Sequence, residues 1–232
     1  MAPGYHAPSS AMPRAPSLAL SVLLASACVV PPRMCALQGD CGGRASCVAG
    51  RCVAHGATAA VDTARRLLFS PVDIAYVRRE ANGRDEVTAT LGSARDPGAL
   101  VFVRFSASLP PEANVLEAYL LLERATDIDA DPTSVSLRAG RVIDPWDGQA
   151  ISWARQPRVE DVGAPVTRVS PSAGPLVRLD VHEIVQRWRR RAGDDFGMAV
   201  IAQGRSATGM AFALAPVAGS AREGPRLELY VK

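Results

Sequence analysis

LVRLDVHEIVQRWRRRAGDDFGMAVIA, residues 176–202, reads as a strand-like run, one compact helix and a second strand-like run. Val181, Ile184, Val185 and Trp188 recur at i, i+3, i+4 and i+7, the spacing of one apolar helix stripe. His182, Glu183, Gln186 and Arg187 fall on other faces. Asp180 is placed to cap the helix, because its carboxylate can accept from the open N–H groups of the first turn. Glu183, three residues on, stands where a capping-box partner belongs. Arg189, Arg190 and Arg191 crowd the last turn, where cations offset the helix dipole, and Gly193 is the expected stop. So short a helix is unstable alone. It must lay its stripe on something, and the surrounding sequence is strand-like.

From Leu67 onward, β-branched and apolar runs are cut by turn signals at short intervals, the pattern of an all-β sandwich or barrel. Strands are expected at 73–78, 87–91, 99–105, 115–123, 134–138, 143–146, 150–153, 166–169, 176–179, 196–202, 209–215 and 226–231. Asn82-Gly83, Asp96-Pro97-Gly98 and Asp147-Gly148 are the clearest turns. Alternation over 115–123 sets Ala118, Leu120 and Leu122 against Glu117, Tyr119, Leu121 and Glu123. The last run sets Leu227, Leu229 and Val231 against Glu228 and Tyr230, so a sheet should hold it rather than leave it as a tail.

The amino terminus points to export. LALSVLLASA, residues 18–27, is an apolar run of signal-peptide length behind Arg14, too short to span a bilayer as a helix. Translation can begin at Met1 or Met12. Ala25-Ser26-Ala27-Cys28 resembles a bacterial lipobox, in which Cys28 would be lipidated and become the first mature residue. Ala25 departs from the Leu preferred there, and Ala-Ser-Ala also suits ordinary signal peptidase, so plain secretion is the alternative. Val29 rather than Asp after the cysteine implies an outer-membrane or cell-surface address, with the lipid as the only membrane attachment.

All five cysteines lie between positions 28 and 52. Reserving Cys28 for lipid leaves Cys35, Cys41, Cys47 and Cys52, which in an exported chain suggests two disulfides. Three pairings are open. CALQGDCGGRASCVAGRC is too short and Gly-rich to build a core, so covalent staples must hold it. Its pattern resembles the EGF-like stubs of bacterial surface lipoproteins; Cys35–Cys47 with Cys41–Cys52 is the working choice. A zinc site would prefer closer cysteine pairs. Residues 53–65 are Ala/Thr-rich and read as a linker. The expected organisation is a signal peptide over 1–27, a disulfide-rich stub and linker over 28–65, and a β-sandwich over 66–232.

A formal charge of +3, carried almost entirely by arginine, is too weak to imply a nucleic-acid partner. Catalytic patterns are poor. His182-Glu183 opens H-E-x-x-H, but Gln186 stands where the second histidine belongs. Ser206 in GRSATG misses the G-x-S-x-G spacing by one residue, and no dinucleotide or phosphate-loop glycine pattern is present. Carboxylates brought together from separate strands, as in glycosidases, leave no sequence mark. Asp127, Asp129 and Asp131 gather hard oxygen donors that suit calcium; the same triplet also suits a solvated turn. Trp146, Trp153 and Trp188 read as packing residues, and Tyr119 and Tyr76 are the aromatics best placed for an open face. Arg187, Arg189 and Arg190 form a cationic cluster suited to an anionic polysaccharide, or simply a solvated helix end.

Taken in order, residues 73–232 resemble the DNRLRE-type domain, related to jelly-roll carbohydrate-binding modules. The resemblance lies in Arg104-Phe105 before the proline-bearing loop at Leu109-Pro110, and in Ala118, Leu120 and Leu122. It continues through Trp146, Ser152-Trp153 to Pro157, Asp180-Val181 to Trp188, Phe196-Gly197 and Pro225 to Val231. An Asn-Tyr-Gly element is missing near Asn82-Gly83, and Ser106 replaces a frequent acid. The resemblance implies an all-β jelly-roll sandwich with one short helix. It further implies a non-enzymatic surface module that binds polysaccharide without an obligatory cofactor. A structural module for another envelope protein and, further off, a polysaccharide-degrading enzyme are the alternatives.

Overall fold

The computed structural model describes residues 45–48, 51–54, 64–79, 82–83, 86–110, 112–125, 134–191, 193, 195–216 and 223–232. The chain divides into Met1–Pro31, which contains the apolar run 18–27 and Cys28 and lies outside the described residues, and Pro32–Lys232. In the second unit, β1 (Ala45–Val48) and β2 (Arg51–Ala54) form a hairpin with Cys47 opposite Cys52. Cys52 is disulfide-bonded. Cys35 and Cys41, the side chain of Cys47, and Asp127, Asp129 and Asp131 lie outside the described residues.

The body is an all-β sandwich of jelly-roll type. Its strands are β3 (Arg65–Phe69), β4 (Pro71–Val77), β5 (Asn82–Gly83), β6 (Thr88–Leu91), β7 (Leu100–Phe105), β8 (Val115–Glu123) and β9 (Val135–Val142). There follow β10 (Val159–Glu160), β11 (Thr167–Val169), β12 (Leu176–Asp180), the helix α1 (His182–Arg190), β13 (Met198–Gln203), β14 (Met210–Ala213) and β15 (Arg226–Val231). One sheet runs β10-β9-β13-β7-β4-β5, with β11 also on β9; the other runs β12-β8-β15-β3; β14 pairs with β6. The paired strands are antiparallel throughout.

Alternation does what it should. Ala118, Leu120 and Leu122 of β8 and Leu227, Leu229 and Val231 of β15 face Val101, Val103, Leu137, Met198 and Val200 across one apolar core. The terminal strand β15 sits inside its sheet, between β8 and β3. The helix closes this core: Val181, Ile184, Val185 and Trp188 are all buried in it. Val181 N–H donates to Ala118 O at 3.0 Å, tying the helix start to β8.

Several local expectations are corrected. Asp180 is the last residue of β12, and the helix cap is Val181, with no side-chain cap bond; the Asp180 carboxylate still accepts from His182 N–H at 3.0 Å. Sheet pairing with Tyr119 holds Asp180 extended one residue too early for a capping box with Glu183. Asn82-Gly83 pairs with Val77 and Tyr76 as a short strand, not as the turn itself. Residues 143–146 and 150–153 are not strands; Ala150 and Ile151 N–H fold back on Asp147 O, and their large side chains cover the sheet from outside. β9 runs four residues beyond the expected end, to Val142, because β13 and β10 pair with it there; Gly140 leaves room for Val159 of β10 to pack close. β3 and β10 were not anticipated. Arg65-Arg66 resembles a linker end, and a two-residue strand carries no periodicity.

Candidate binding surfaces flanking the helix

The residues that carry the family resemblance converge, but on packing. Arg104 donates to the Asp73 carboxylate at 3.0 Å and to Trp146 O at 3.2 Å, and its guanidinium lies 5.4 Å from the Trp146 ring centroid. Trp146 Nε1–H donates to Phe196 O at 2.6 Å, and Gly148 N–H donates to Asp73 at 3.2 Å. Gly197 has φ +91°, and a Cβ there would meet Val103 O at 2.2 Å, so the Phe-Gly pair marks a close crossing onto β7. Trp153 rests on Gly98, and Arg79 lies 5.7 Å from its ring. These aromatics staple a loop to a sheet; their faces are occupied.

Tyr119, expected on an open face, is only 7% exposed, and its hydroxyl donates to Glu117 at 2.8 Å. Tyr76 is also buried and exchanges hydrogen bonds with the Thr90 backbone. Neither offers a ring for stacking. Tyr76 turns inward into the core between the sheets, and Tyr119 turns outward but is covered beside Leu121 and Tyr230. His182 does not gather metal partners; its neighbour across one turn is Gln186, at 3.4 Å. Among the described residues, no cluster of three or more His, Cys, Asp or Glu could hold a metal ion.

Two recesses flank α1. One is a groove of about 290 Å³ lined by Arg141, Glu160, Glu183, Arg187, Arg190 and Arg191. Arg141 Nε donates to one Glu160 oxygen at 2.9 Å, and Arg187 reaches the other at 3.4 Å. Glu160 therefore holds two guanidiniums from different elements side by side, while Arg190 and Arg191 are exposed. Of the three arginines predicted to act together, Arg187 and Arg190 lie here. Arg189 points elsewhere, because one residue along a helix is a 100° turn. Arg141 and Glu160 escaped prediction: nothing in their local sequence links β9 and β10 to the helix.

The other recess is a cleft of about 460 Å³. It lies between the helix end, the segment after it, and the loop following β7. Leu109, Pro110, Val185, Trp188 and Leu227 give it apolar walls; Ser108, Arg189 and Asp195 supply polar groups. Asp195 is half-buried. Desolvation raises its carboxyl above the usual range, outweighing the hydrogen bond from Gly197 N–H and the attraction of Arg104. The indole N–H of Trp188 is buried and has no hydrogen-bond partner among the described residues. No protein-family model matches the chain, and no curated protein matches it.

Proposed function

We propose that this is a non-enzymatic lipoprotein of the cell envelope, carried by lipid on Cys28, whose sandwich binds an acidic polysaccharide in the arginine groove. The observation that carries this reading is the grouping of four guanidiniums against two carboxylates in one recess. Guanidinium is planar and matches a carboxylate with two parallel hydrogen bonds, which favours uronate-type sugars over neutral ones. Glu160 holds Arg141 and Arg187 in place before any ligand arrives, which lowers the ordering cost of binding. The export signals agree with a ligand met outside the cytoplasm.

Titration of the Cys28→Ser chain with a galacturonate tetramer and with its methyl ester tests the ligand. The acid should bind, weaken as salt rises, and lose at least tenfold in affinity on Arg190→Ala with Arg191→Ala; the ester should bind far more weakly. Equal binding of acid and ester, or no binding of the acid, overturns the reading. Fractionation tests the anchor: Cys28→Ser should move the protein from membranes to the soluble fraction.

A further inference from the structure

The cleft on the other side of α1 has a different chemistry. Its volume of about 460 Å³ falls within the range of small-molecule sites, about 300–1,000 Å³. Such sites join apolar walls to a few convergent polar groups, and this one does the same. Leu109 and Pro110 come from the loop after β7, Val185 and Trp188 from the helix, and Leu227 from β15. Three separate elements therefore build it. Among these walls stands the Asp195 carboxylate, whose hydrogen-bond donor among the described residues is Gly197 N–H, 3.2 Å from Oδ1. Trp188 contributes part of the apolar wall.

Charge narrows the ligand. Asp195 disfavours an anion in the cleft. Arg189 on the same wall, and Arg104 within electrostatic reach of Asp195, disfavour a cation. What remains is a neutral molecule with apolar faces and hydroxyls at its edge. A carboxylate accepts from two neighbouring hydroxyls at once, and the C–H face of a sugar ring suits walls of leucine, proline and tryptophan. We infer that the cleft bounded by Leu109, Trp188 and Asp195 is a binding site for a neutral pyranose unit, separate from the arginine groove. The proposal does not depend on the groove. The two recesses lie on different sides of α1, so one can bind where the other does not.

The test uses the Cys28→Ser chain and three neutral tetramers, of glucose, mannose and N-acetylglucosamine, followed by titration calorimetry and by amide shifts in NMR spectra. At least one tetramer should bind, with the largest shifts in residues 107–110 and 193–197. Asp195→Ala should weaken binding at least tenfold. Trp188→Phe, which trims the apolar wall, should weaken it severalfold. If Trp188→Phe does not fold, Asp195→Ala, at a half-exposed position, carries the test alone. Arg190→Ala with Arg191→Ala should leave it unchanged. The proposal fails if no neutral tetramer binds, if shifts fall elsewhere, or if Asp195→Ala binds as tightly as the parent chain. Binding of neutral tetramers without galacturonate would keep the cleft and remove the groove; the reverse would do the opposite.

Discussion

The two sheets of this sandwich finish their outer faces in different ways. The outer face of the larger sheet presents Ala75, Val77, Phe102, Val142 and Ala199 and is roofed by Trp146 and Ile151, with Trp153 and Phe196 beside them. Among the described residues, the outer face of the smaller sheet has no such roof. Tyr119, Leu121 and Tyr230 lie there with Glu228, which has no exposed surface at all. Arg66 of β3 and Arg178 of β12 close over Glu228 from its two sides, at 2.6 and 3.0 Å, and the Tyr230 hydroxyl donates to it at 3.3 Å. One face thus gains a second apolar core by borrowing a loop. The other is sealed by arginine stems that cover apolar surface while their heads meet a carboxylate. An apolar roof is stabilised by area, whereas in an ionic lattice the cost of losing a member depends on how deeply its partner is buried.

That contrast sets the scale of expected damage. Trp146→Ala should cost most, about 3–5 kcal/mol, because it empties the roof and leaves Phe196 O without its donor. Denaturant unfolding measures it; a loss under about 1 kcal/mol would mean the roof is not a second core. Glu228→Ala comes next, at about 3 kcal/mol, since Arg178, only 8% exposed, loses this carboxylate while staying buried. Removing both charges together, with Glu228→Leu and Arg178→Leu, should restore most of that loss, because the penalty lies in keeping a buried charge after its carboxylate has gone rather than in the missing pair. A double variant no better than Glu228→Ala would show that the lattice is stabilised by its Coulomb attraction after all. Arg66→Ala should cost only about 1 kcal/mol, as its side chain is half exposed and Arg178 still holds Glu228.

How far the sequence reveals these faces depends on the range of the interaction. Alternation shows which residues of β8 and β15 turn outward, because side-chain direction is local. It does not show that Glu228 is buried, since its partners stand 162 and 50 residues away in sequence. The Trp146 and Trp153 segments read as strands for a related reason. Apolar residues that roof a sheet from a loop have the same composition as residues within one. The helix stripe was legible in full, yet its cap was misplaced, because pairing to β8 overrode the local signal at Asp180. The groove was half legible: Arg187 and Arg190 lie in a visible cluster, whereas Arg141 and Glu160 arrive by sheet topology. In the cleft, Leu109-Pro110 stood out only as a loop, and nothing local set it opposite Trp188.

Asp195 sharpens the comparison through a carboxylate beside the larger sheet. Glu228 is sealed with two guanidiniums, whereas Asp195 is half-buried with one backbone N–H, and the nearby Arg104 is already engaged by Asp73 and Trp146 O. Burial holds the Asp195 carboxyl above its usual range. A carboxyl raised in the folded state binds its proton more readily there than in the unfolded chain. Its relative contribution is most favourable below the unfolded value, and it is lost as pH rises through the folded one. Asp195→Asn keeps an acceptor for Gly197 N–H and removes the charge. It should therefore raise stability slightly at pH 7, by no more than about 1 kcal/mol after solvent screening, and the gain should vanish near pH 3. Thermal melts of the two chains at both pH values decide the matter. A gain equal at both would trace to packing rather than charge, and a loss at pH 7 would mean that Arg104 outweighs desolvation at this carboxylate.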